Sequence, residues 1–390
     1  MIWGDLDLLR CFAGSRTPTW IVTSDERDVT LRSRLCQNSS VIAPPREEER
    51  AASDLALLGA RFPERPVLFY GTDAALLVIS RNRHELGRHF RFRMPRPELI
   101  EQLVNKQLFT ELALRCELPV PRTLASDEIE TEADIEQHVG LPCVFKPSVH
   151  IGWFDARARH GLSPHKAVRA ETTAELARAL AELRLQCESF VVQQYIPGGE
   201  ELIYSYHAYV DERFRPLGEF AGRKLRTYPK HAGVSTYLEL VHEPALLALG
   251  RDVIERIGLV GPVKLDFKRA ADTGQFHLLE VNPRYTLWNH LGAVAGVNLP
   301  RIAYADLTGG AVSPVSEYRT GVRWLSFGND LRAFLRDYRP EGMSTAEWLQ
   351  SFRAPKVYEI FSWSDPLPFF ANALKFTGAL SRRLLKASLG

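Results

Sequence analysis

Short apolar runs separated by polar turns dominate the first hundred residues. The runs are Trp20–Val22, Ser40–Ala43 and Pro66–Tyr70, and a helical stretch follows at Asp73–Ile79. Continuous apolar runs of this length, alternating with helices, are typical of buried strands in a parallel sheet. The pattern predicts an α/β domain over residues 1–96, ending at a basic segment punctuated by prolines.

From Pro97 the spacing of apolar residues becomes helical. Leu99, Leu103, Leu108 and Leu112 recur at the helical period, with the proline in the first turn. Further along, the pattern predicts a buried strand at 141–147, a helix at 173–185, a buried strand at 190–196 and an antiparallel strand at 202–210. These elements predict a mixed α+β region after the first domain.

A hairpin signal lies between Val263 and Arg284. Two alternating apolar runs flank the turn sequence Asp272-Thr-Gly. If Thr273 is the centre of the turn, residues whose numbers add to 546 lie opposite one another. Asp266 then faces Glu280, and Lys264 faces Asn282.

The period of two places these four polar side chains on one face of the hairpin. The opposite face, formed by Leu265, Phe267, Leu279 and Val281, is predicted to point into the core. Directly opposed carboxylates have Cβ atoms roughly 4.5–5.5 Å apart and repel, so a proton or a cation must lie between them. A solvated polar face is the alternative, and a bulge in the turn would change the register.

Composition and charge exclude several classes of protein. A formal net charge of +2 over 390 residues argues against a general nucleic-acid binder. The five cysteines are scattered, without a C-x-x-C pair, which indicates a reducing compartment rather than a disulfide framework or a zinc site. The sequence shows neither a basic signal-peptide region nor a long apolar run, and we expect a cytoplasmic protein.

The segment Glu280-Val-Asn-Pro-Arg284, with Asp266 upstream, resembles the metal-binding end of the ATP-grasp enzymes, and in detail their carboxylate–amine ligase branch, which includes D-aspartate ligases. The resemblance extends from about residue 15 to about residue 310. It implies an ATP-grasp fold, in which two α+β lobes enclose ATP, preceded by a Rossmann-like α/β domain. The expected divisions are 1–96 for that domain, 97–195 for the small lobe, 196–310 for the large lobe with the metal site, and 311–390 for a C-terminal extension.

The resemblance also implies roles for separate residues. Asp266, Glu280 and Asn282 would be the ligands of Mg²⁺, with two ions expected and Mn²⁺ as an alternative. Nucleotide binding would involve the following residues: Lys106 and Lys146 at the phosphates, Gln193, Gln194 and Ile196 at the adenine edge, and Glu200 at the ribose, with Glu201 as its alternative. Lys146 has an independent argument, because it ends a buried strand where an unpaired ammonium is costly. The other residues, taken singly, are also compatible with an ordinary solvated surface.

Catalytic roles are expected for four basic residues. Arg223 and Lys224 belong to a basic segment that would meet the γ-phosphate or an acidic substrate, and Arg226 is close by. Arg284 would bind the substrate carboxylate or acyl phosphate bidentately, and Lys264 would stabilise the developing oxyanion.

Two departures from the family pattern stand out. The phosphate-covering loop, expected between Ser148 and His165, offers only Gly152 and Gly161, among His150, Trp153, His160 and His165. The chain also begins almost at the first helix, so the usual first strand of the Rossmann-like domain is expected to be missing.

Residues 366–390 contain no acid and carry Lys375, Arg382, Arg383 and Lys386, with apolar residues at helical spacing. The favoured interpretation is a helix packed on the body of the protein. A basic amphipathic helix lying on a membrane surface is the alternative.

The resulting hypothesis is an ATP-dependent ligase that converts a substrate carboxylate to an acyl phosphate and couples it to an amine or a thiol. Small-molecule substrates are expected as partners, and nucleic acid is not. A non-catalytic nucleotide-binding scaffold and a biotin-carboxylase-like enzyme that activates bicarbonate are the alternatives. The oligomeric state stays open, and a dimer is compatible with the sequence.

Overall fold

The computed structural model describes residues 1–148, 167–187, 189–230 and 233–373, and the backbone alone for Gln186. In these ranges the strands form three sheets. The predicted loop residues His150, Gly152, Trp153, His160, Gly161 and His165 lie outside the described residues, as do residues 374–390.

The N-terminal domain contains a parallel four-stranded sheet in the order β3-β2-β1-β4. Its strands are β1 (Ile2–Trp3), β2 (Trp20–Thr23), β3 (Asn38–Val41) and β4 (Phe69–Tyr70). Its helices are α1 (Leu6–Arg10), α2 (Glu48–Gly59), α3 (Asp73–Arg81) and α4 (Arg83–His89). The predicted α/β class and parallel sheet are confirmed.

The expectation that the first strand is missing is wrong. Ile2 pairs in parallel with Ile21 on one side and with Phe69 on the other, so β1 lies in the middle of the sheet. The terminal amine of Met1 donates to the carbonyl of Val67 at 2.6 Å. Two strand residues are too few to show a periodic pattern in the sequence, and the pairing partners are distant along the chain.

The helical pattern that begins at Pro97 forms two helices, α5 (Pro97–Val104) and α6 (Lys106–Arg115). Asn105 separates them with an extended backbone, and its side chain accepts hydrogen bonds from the N–H groups of Gln107 and Leu108. An N-cap of this kind satisfies donors that a continuous helix would have bonded to its own carbonyls. The break places Lys106 at the start of α6, where its N–H donates to the carbonyl of Ser148 at 2.8 Å.

The small lobe is an antiparallel sheet in the order β5-β8-β6-β7. Its strands are β5 (Thr123–Ala125), β6 (Cys143–Pro147), β7 (Val168–Ala170) and β8 (Phe190–Gln194). Two helices pack on it: α7 (Glu132–His138) and α8 (Thr173–Gln186). Ile135, Phe145, Leu176 and Leu180 are buried between the helices and the sheet.

The large lobe is a seven-stranded sheet in the order β13-β12-β9-β10-β11-β14-β15. Its strands are β9 (Ile203–Val210), β10 (Pro216–Tyr228), β11 (Val234–Leu240), β12 (Gly261–Arg269), β13 (Phe276–Asn282), β14 (Arg323–Leu325) and β15 (Lys356–Tyr358). The helices that follow its strands are α9 (Pro244–Ile257), α10 (Trp288–Ala295) and α11 (Leu299–Leu307). One face packs on α5, α6 and α9, and the other packs on α10, α11 and the N-terminal domain.

The β12–β13 hairpin has the predicted register at its functional end. Asp266 pairs with Glu280, and Lys264 pairs with Asn282. A bulge next to Asp266 shifts the remaining pairs by one residue, so that Phe267 faces Leu278. The prediction that Leu279 points into the core is therefore wrong, because the bulge buries Leu278 and turns Leu279 outward.

The C-terminal part joins the large sheet through β14 and β15. Between these strands lie α12 (Phe327–Ala333), a π-helical turn (Phe334–Tyr338) and α13 (Thr345–Gln350), which we call the α12–α13 module. A short helical segment occupies residues 367–373. The described residues contain no helix long and apolar enough to cross a membrane. The two interpretations of the terminal helix concern mainly residues outside the described ranges.

A buried ion pair joins the α12–α13 module to β10. The guanidinium of Arg226 binds both oxygens of Asp330 at 2.8 Å, and Thr236 and Trp348 donate to the same carboxylate. The two charged side chains are almost completely excluded from solvent. Every carboxylate oxygen therefore has two donors, which offsets the desolvation of the pair.

Replacing Asp330 by alanine is expected to lower the free energy of unfolding by about 3–5 kcal/mol, because a buried guanidinium loses its counter-charge. Chemical denaturation measures the effect. Asp252→Ala, which breaks the exposed pair between Asp252 and Arg256, is the control and should change little. Equal losses in the two variants would contradict a special role for the buried pair.

Candidate functional site

A cavity of about 220 Å³ opens between the small and the large lobes. Four lysines, Lys106, Lys146, Lys224 and Lys268, and two acids, Asp266 and Glu280, line it. The segment 193–196, which connects the lobes, forms another wall. The structure thus brings together residues that are far apart in the sequence: Lys106 and Glu280 are separated by 174 positions.

Lys146 reaches the cavity from β6, where Cys143, Phe145 and Pro147 alternate toward the small-lobe core. Its ammonium donates to the side-chain oxygen of Gln193 at 2.6 Å. Burial, and next the charge of Lys106, lower the pKa of Lys146 to about 8; Lys224 acts in the same direction and Glu280 opposes it. A cation whose pKa is lowered in this way would be stabilised by an anion in the cavity.

Asp266 lies on β12 and is ionised. Burial alone would raise its pKa, but the charges of Lys264 and Lys224, together with hydrogen bonds from Lys264 and Ser205, hold it well below its usual range. Lys264 donates to one carboxylate oxygen at 2.7 Å, and the hydroxyl of Ser205 donates to the other. The site therefore has a fixed negative charge at neutral pH.

Glu280 and Asn282 occupy the paired strand, opposite Asp266 and Lys264. Two carboxylates and one amide oxygen converge at this end of the hairpin, which is a donor set of hard oxygen atoms. Within the described ranges, no group of three or more His, Cys, Asp or Glu side chains is arranged to hold a metal ion. A cation at the hairpin would therefore need further oxygen ligands from a bound molecule or water.

Arg284 connects the hairpin to the N-terminal domain. Its guanidinium forms a bidentate pair with Asp73, the first residue of α3, and it also donates to the side-chain oxygen of Asn282 at 3.1 Å. Burial would lower the pKa of Arg284, but the charge and hydrogen bonds of Asp73, together with the charges of Glu280 and Asp266, outweigh burial and raise it. The arginine is therefore held at the edge of the site, and the orientation of Asn282 depends on it.

Two side chains of the connecting segment are engaged within the protein. Both ends of the Gln193 amide are engaged within the protein, the oxygen by Lys146 and the nitrogen by Thr123. Gln194 accepts from Arg122. Over the ranges that the structure describes, the backbone N–H of Ile196 has no hydrogen-bond partner. The N–H groups of Gln194 and Tyr195 donate to the carbonyls of Arg122 and Pro142, so the Ile196 N–H, rather than the Gln193 side chain, is the donor available at this wall.

Glu200 does not line the cavity. It is buried in the short 3₁₀ turn Glu200–Leu202, and its charge acts on Lys268, which does line the cavity. Lys268 donates to the carbonyls of Gly198 and Gly199, and burial lowers its pKa despite the neighbouring acids. Lys268 was not predicted as a site residue, although its spacing of two from Asp266 places it on the same strand face.

The basic segment of β10 divides between different environments. Lys224 lines the cavity, whereas Arg226 is buried against Asp330. Arg223 lies opposite Tyr204, and its neighbour Gly222 lies opposite Ser205, the partner of Asp266.

Because side chains alternate along a strand, Arg223 points to the face opposite Asp266. There it pairs with Glu239 at 3.0 Å, and Arg323 binds the same carboxylate. The structure does not bring Arg223 to the cavity, in contrast to its predicted role. Alternation along the strand shows that Arg223 and Lys224 point to opposite faces. The sequence of this strand alone does not reveal which of the two faces the cavity.

Comparison with known proteins identifies a matching domain. Residues 218–327 match the family described as "ATP-grasp in the biosynthetic pathway with Ter operon". This range includes β10 to β13 and therefore the cavity face of the large lobe.

Curated relatives and solved structures extend the similarity. A D-aspartate ligase from Enterococcus faecium is 26% identical over 237 residues, which is 59% of this chain and 55% of the relative. The N-terminal section of a carbamoyl phosphate synthase large chain from Methanopyrus kandleri is 20% identical over 240 residues, or 59% and 40% of the two proteins. The chain spans about half the length of the curated relatives that it matches, or less.

Two solved structures show the same architecture over most of the chain. N5-carboxyaminoimidazole synthetase from Staphylococcus aureus, complexed with ADP, superimposes with a TM-score of 0.63, 13% identity and coverage of 87% of this chain and 85% of that one. L-amino acid ligase from Bacillus licheniformis gives a TM-score of 0.58, 15% identity and coverage of 78% and 73%. The predicted fold class and the resemblance to ATP-grasp enzymes are confirmed.

The pKa of Lys146 predicts that anion binding depends on pH. Tripolyphosphate should bind up to about tenfold more weakly at pH 9 than at pH 7, because a group with a pKa of about 8 changes from mostly protonated to mostly neutral over this range. Isothermal titration calorimetry at the two pH values measures the effect.

Two variants serve as controls for this measurement. Lys146→Arg stays charged over the range and reports the ionisation of the ligand itself, whereas Lys146→Met should bind weakly at both pH values. The same pH dependence in the wild type and in Lys146→Arg would show that Lys146 is not responsible.

Proposed function

We propose that this chain, which has the ATP-grasp fold, is an ATP-dependent ligase that activates a substrate carboxylate as an acyl phosphate and couples it to an amine, releasing ADP and phosphate. The observation that carries the proposal is the composition of the cavity. Four lysines and a pair of facing carboxylates line one space, and the lysines give it more positive than negative charge. A polyphosphate accompanied by a divalent cation complements both sets of charges.

The proposed nucleotide contacts follow from the positions of the side chains. Lys106, Lys146 and Lys224 would neutralise the phosphates, since all three ammonium groups belong to the cavity wall. The Ile196 N–H, together with the backbone of Gln194, would bind the adenine edge, because the Gln193 side chain is engaged by Lys146. Glu200 would bind the ribose only through a rearrangement of its turn, since it is buried there and does not line the cavity.

The donor set at the hairpin suits Mg²⁺, with Asp266, Glu280 and Asn282 as the residues that would hold it. Asp266 is already ionised, and the side chain opposite it in the register is a second carboxylate. Mg²⁺ keeps several water or phosphate ligands and takes one or two carboxylates from a protein, so a larger cluster of acids is not required. When bound, the ion would neutralise charge that develops on the phosphates.

The proposed reaction has two steps. A carboxylate oxygen of the substrate attacks the γ-phosphorus, and the bond from that phosphorus to the oxygen of the β-phosphate breaks, which gives an acyl phosphate and ADP. The amine nitrogen then attacks the acyl carbon, the bond from carbon to the phosphate oxygen breaks, and the amine loses a proton to solvent. The protein contributes positioning and charge stabilisation and needs no side-chain nucleophile.

Two basic residues are the proposed contacts to the acyl group. Lys264 is fixed beside Asp266 and would stabilise negative charge on the carbonyl oxygen in the second step. Arg284 stands at the end of the hairpin with part of its guanidinium bound to Asp73 and would direct its remaining donors to the substrate carboxylate. Arg223 has no part in this proposal because it lies on the other face of β10.

The similarity to a D-aspartate ligase supports a C–N bond-forming reaction with an amino acid as one substrate. The purified protein should release ADP and phosphate from ATP only when a suitable carboxylate is present. With hydroxylamine as the acceptor, the same carboxylate should yield a hydroxamate. A screen of amino acids, beginning with D-aspartate, and of small carboxylates, with coupled ADP detection, tests this expectation.

The products and the bicarbonate control distinguish the alternatives. Formation of AMP and pyrophosphate would overturn the proposed mechanism. ADP release that requires bicarbonate and no other carboxylate would indicate a carboxylating enzyme instead. Nucleotide binding without turnover in the whole screen would support a non-catalytic scaffold.

Asp266→Asn and Glu280→Gln are expected to remove the effect of Mg²⁺ on nucleotide binding. In the wild type, Mg²⁺ should tighten ADP binding, and each variant should lose about tenfold or more of that enhancement because a ligand carboxylate is absent. Calorimetric titrations with and without Mg²⁺ measure it. Asp272→Asn, in the exposed turn of the same hairpin, is the matched control. Retention of the full Mg²⁺ effect in both site variants would refute the assigned metal site.

A further inference from the structure

The end of β10 contributes to the cavity, yet it is poorly supported by its own sheet. Lys224, Thr227 and Gly233 line the cavity. Pairing of β10 with β9 ends at Arg223, opposite Tyr204. On the other side, the pairing with β11 is irregular between Lys224 and Thr227. A strand segment without a regular ladder on either side needs other contacts to hold its position.

The α12–α13 module supplies these contacts from outside the cavity. The N–H of Thr227 donates to the hydroxyl of Tyr338 at 3.0 Å, and the N–H of Lys230 donates to the carboxylate of Asp337 at 2.9 Å. The ammonium of Lys230 lies 5.0 Å from the centre of the Tyr338 ring. Arg226, between the two cavity residues of the strand, is fixed by Asp330.

Thr227 contacts both the cavity and the α12–α13 module. Thr227 lines the cavity, and its backbone N–H donates to a tyrosine of the module. Both Thr227 and Tyr338 are buried, so water cannot readily replace the hydroxyl if it is removed. Without the Tyr338 hydroxyl, the Thr227 N–H would be left without an acceptor. We therefore expect this part of the cavity wall to shift.

Gly233 shows that the two ends of the β10–β11 connection are in close contact. A Cβ atom at this position would lie 2.1 Å from the carbonyl carbon of Tyr228 and 2.2 Å from the carbonyl oxygen of Pro229. No side chain fits there, because the backbone of residues 228–229 occupies the space. Gly233 therefore packs directly against the segment that follows Thr227, where the module is attached.

We propose that Tyr338 is a positioning residue for the nucleotide site, and that the α12–α13 module sets nucleotide affinity by fixing the Lys224–Thr227 edge of the cavity. The inference rests on the proposed binding of ATP in this cavity. It assigns a role to a part of the chain that extends beyond residue 327, where the matched family domain ends.

Tyr338→Phe tests the proposal because it removes only the hydroxyl. Tyr318→Phe is a matched control: the hydroxyl of Tyr318 also accepts a hydrogen bond from the β10 backbone, at Ala221 and 3.0 Å, and it donates to the carbonyl of Val241. Ala221 does not line the cavity. Both variants therefore remove a hydroxyl that accepts a hydrogen bond from the backbone of β10. Tyr338→Phe removes it next to the cavity, and Tyr318→Phe removes it away from the cavity.

The dissociation constant for ADP with Mg²⁺ is expected to rise about two- to tenfold in Tyr338→Phe and to stay unchanged in Tyr318→Phe, while thermal unfolding shifts in both. In turnover assays, Tyr338→Phe should raise KM for ATP with little change in kcat. Asp337→Ala, which removes the acceptor for Lys230, is a second variant in the module and should act in the same direction.

The outcomes separate this inference from the proposed function. If the wild type does not bind ADP, the assignment of the cavity fails, and this inference fails with it. If the wild type binds ADP and Tyr338→Phe, Asp337→Ala and Tyr318→Phe all match it, the positioning role is overturned and the proposed function stands. Equal weakening by Tyr338→Phe and Tyr318→Phe would show a general structural effect and would also overturn the positioning role.

Discussion

The pairing of β12 with β13 is the constraint on which the site depends. Asp266 lies opposite Glu280 and Lys264 lies opposite Asn282, and all four are on the other face of the sheet from the one that packs on α5, α6 and α9. A shift of one residue would exchange this face for Leu265 and Val281, which are buried. The burial of those apolar side chains, rather than any attraction between the polar ones, therefore fixes the position of the carboxylates.

The polar face that results is electrostatically unfavourable without a ligand. Burial, together with the charges of Lys106 and Lys224, lowers the pKa of Lys146, and the two facing acids repel one another across the strands. The contact of Lys264 with Asp266 reduces the repulsion between the two acids. A bound polyphosphate would stabilise the lysines together. The like charges that are unfavourable without a ligand are thus the same charges that would bind the ligand.

Much of this arrangement could be predicted from the sequence, because it depends on local periodicity. Alternation along the hairpin placed Asp266, Glu280, Lys264 and Asn282 on one face, and apolar runs located most of the strands. Two of the failures are local interruptions of a regular pattern. The bulge beside Asp266 moved Leu279 outward, and Asn105 interrupted a continuous helical pattern by capping the next helix.

Other features had no signal in a single segment. The strand at Ile2 and Trp3 becomes visible only through its pairing with two strands further along the chain. The face occupied by Arg223 depends on the register of β10 against β9, and the engagement of Gln193 depends on Lys146 from another strand. Sequence patterns identify which residues can share a face, whereas the neighbouring element determines what that face meets.

The same reasoning explains why the separate parts of the chain must act together. Arg284 orients Asn282 from within the hairpin and is itself held by Asp73 of the N-terminal domain. Lys106 is tied by its backbone to the end of β6, so the linker helix and the small lobe carry their lysines as a unit. Tyr338 and Asp337 hold the remaining edge from the C-terminal module. Each wall of the cavity is thus fixed by an element outside it, and a displacement of any one of these elements would change the distances between the lysines and the carboxylates on which binding depends.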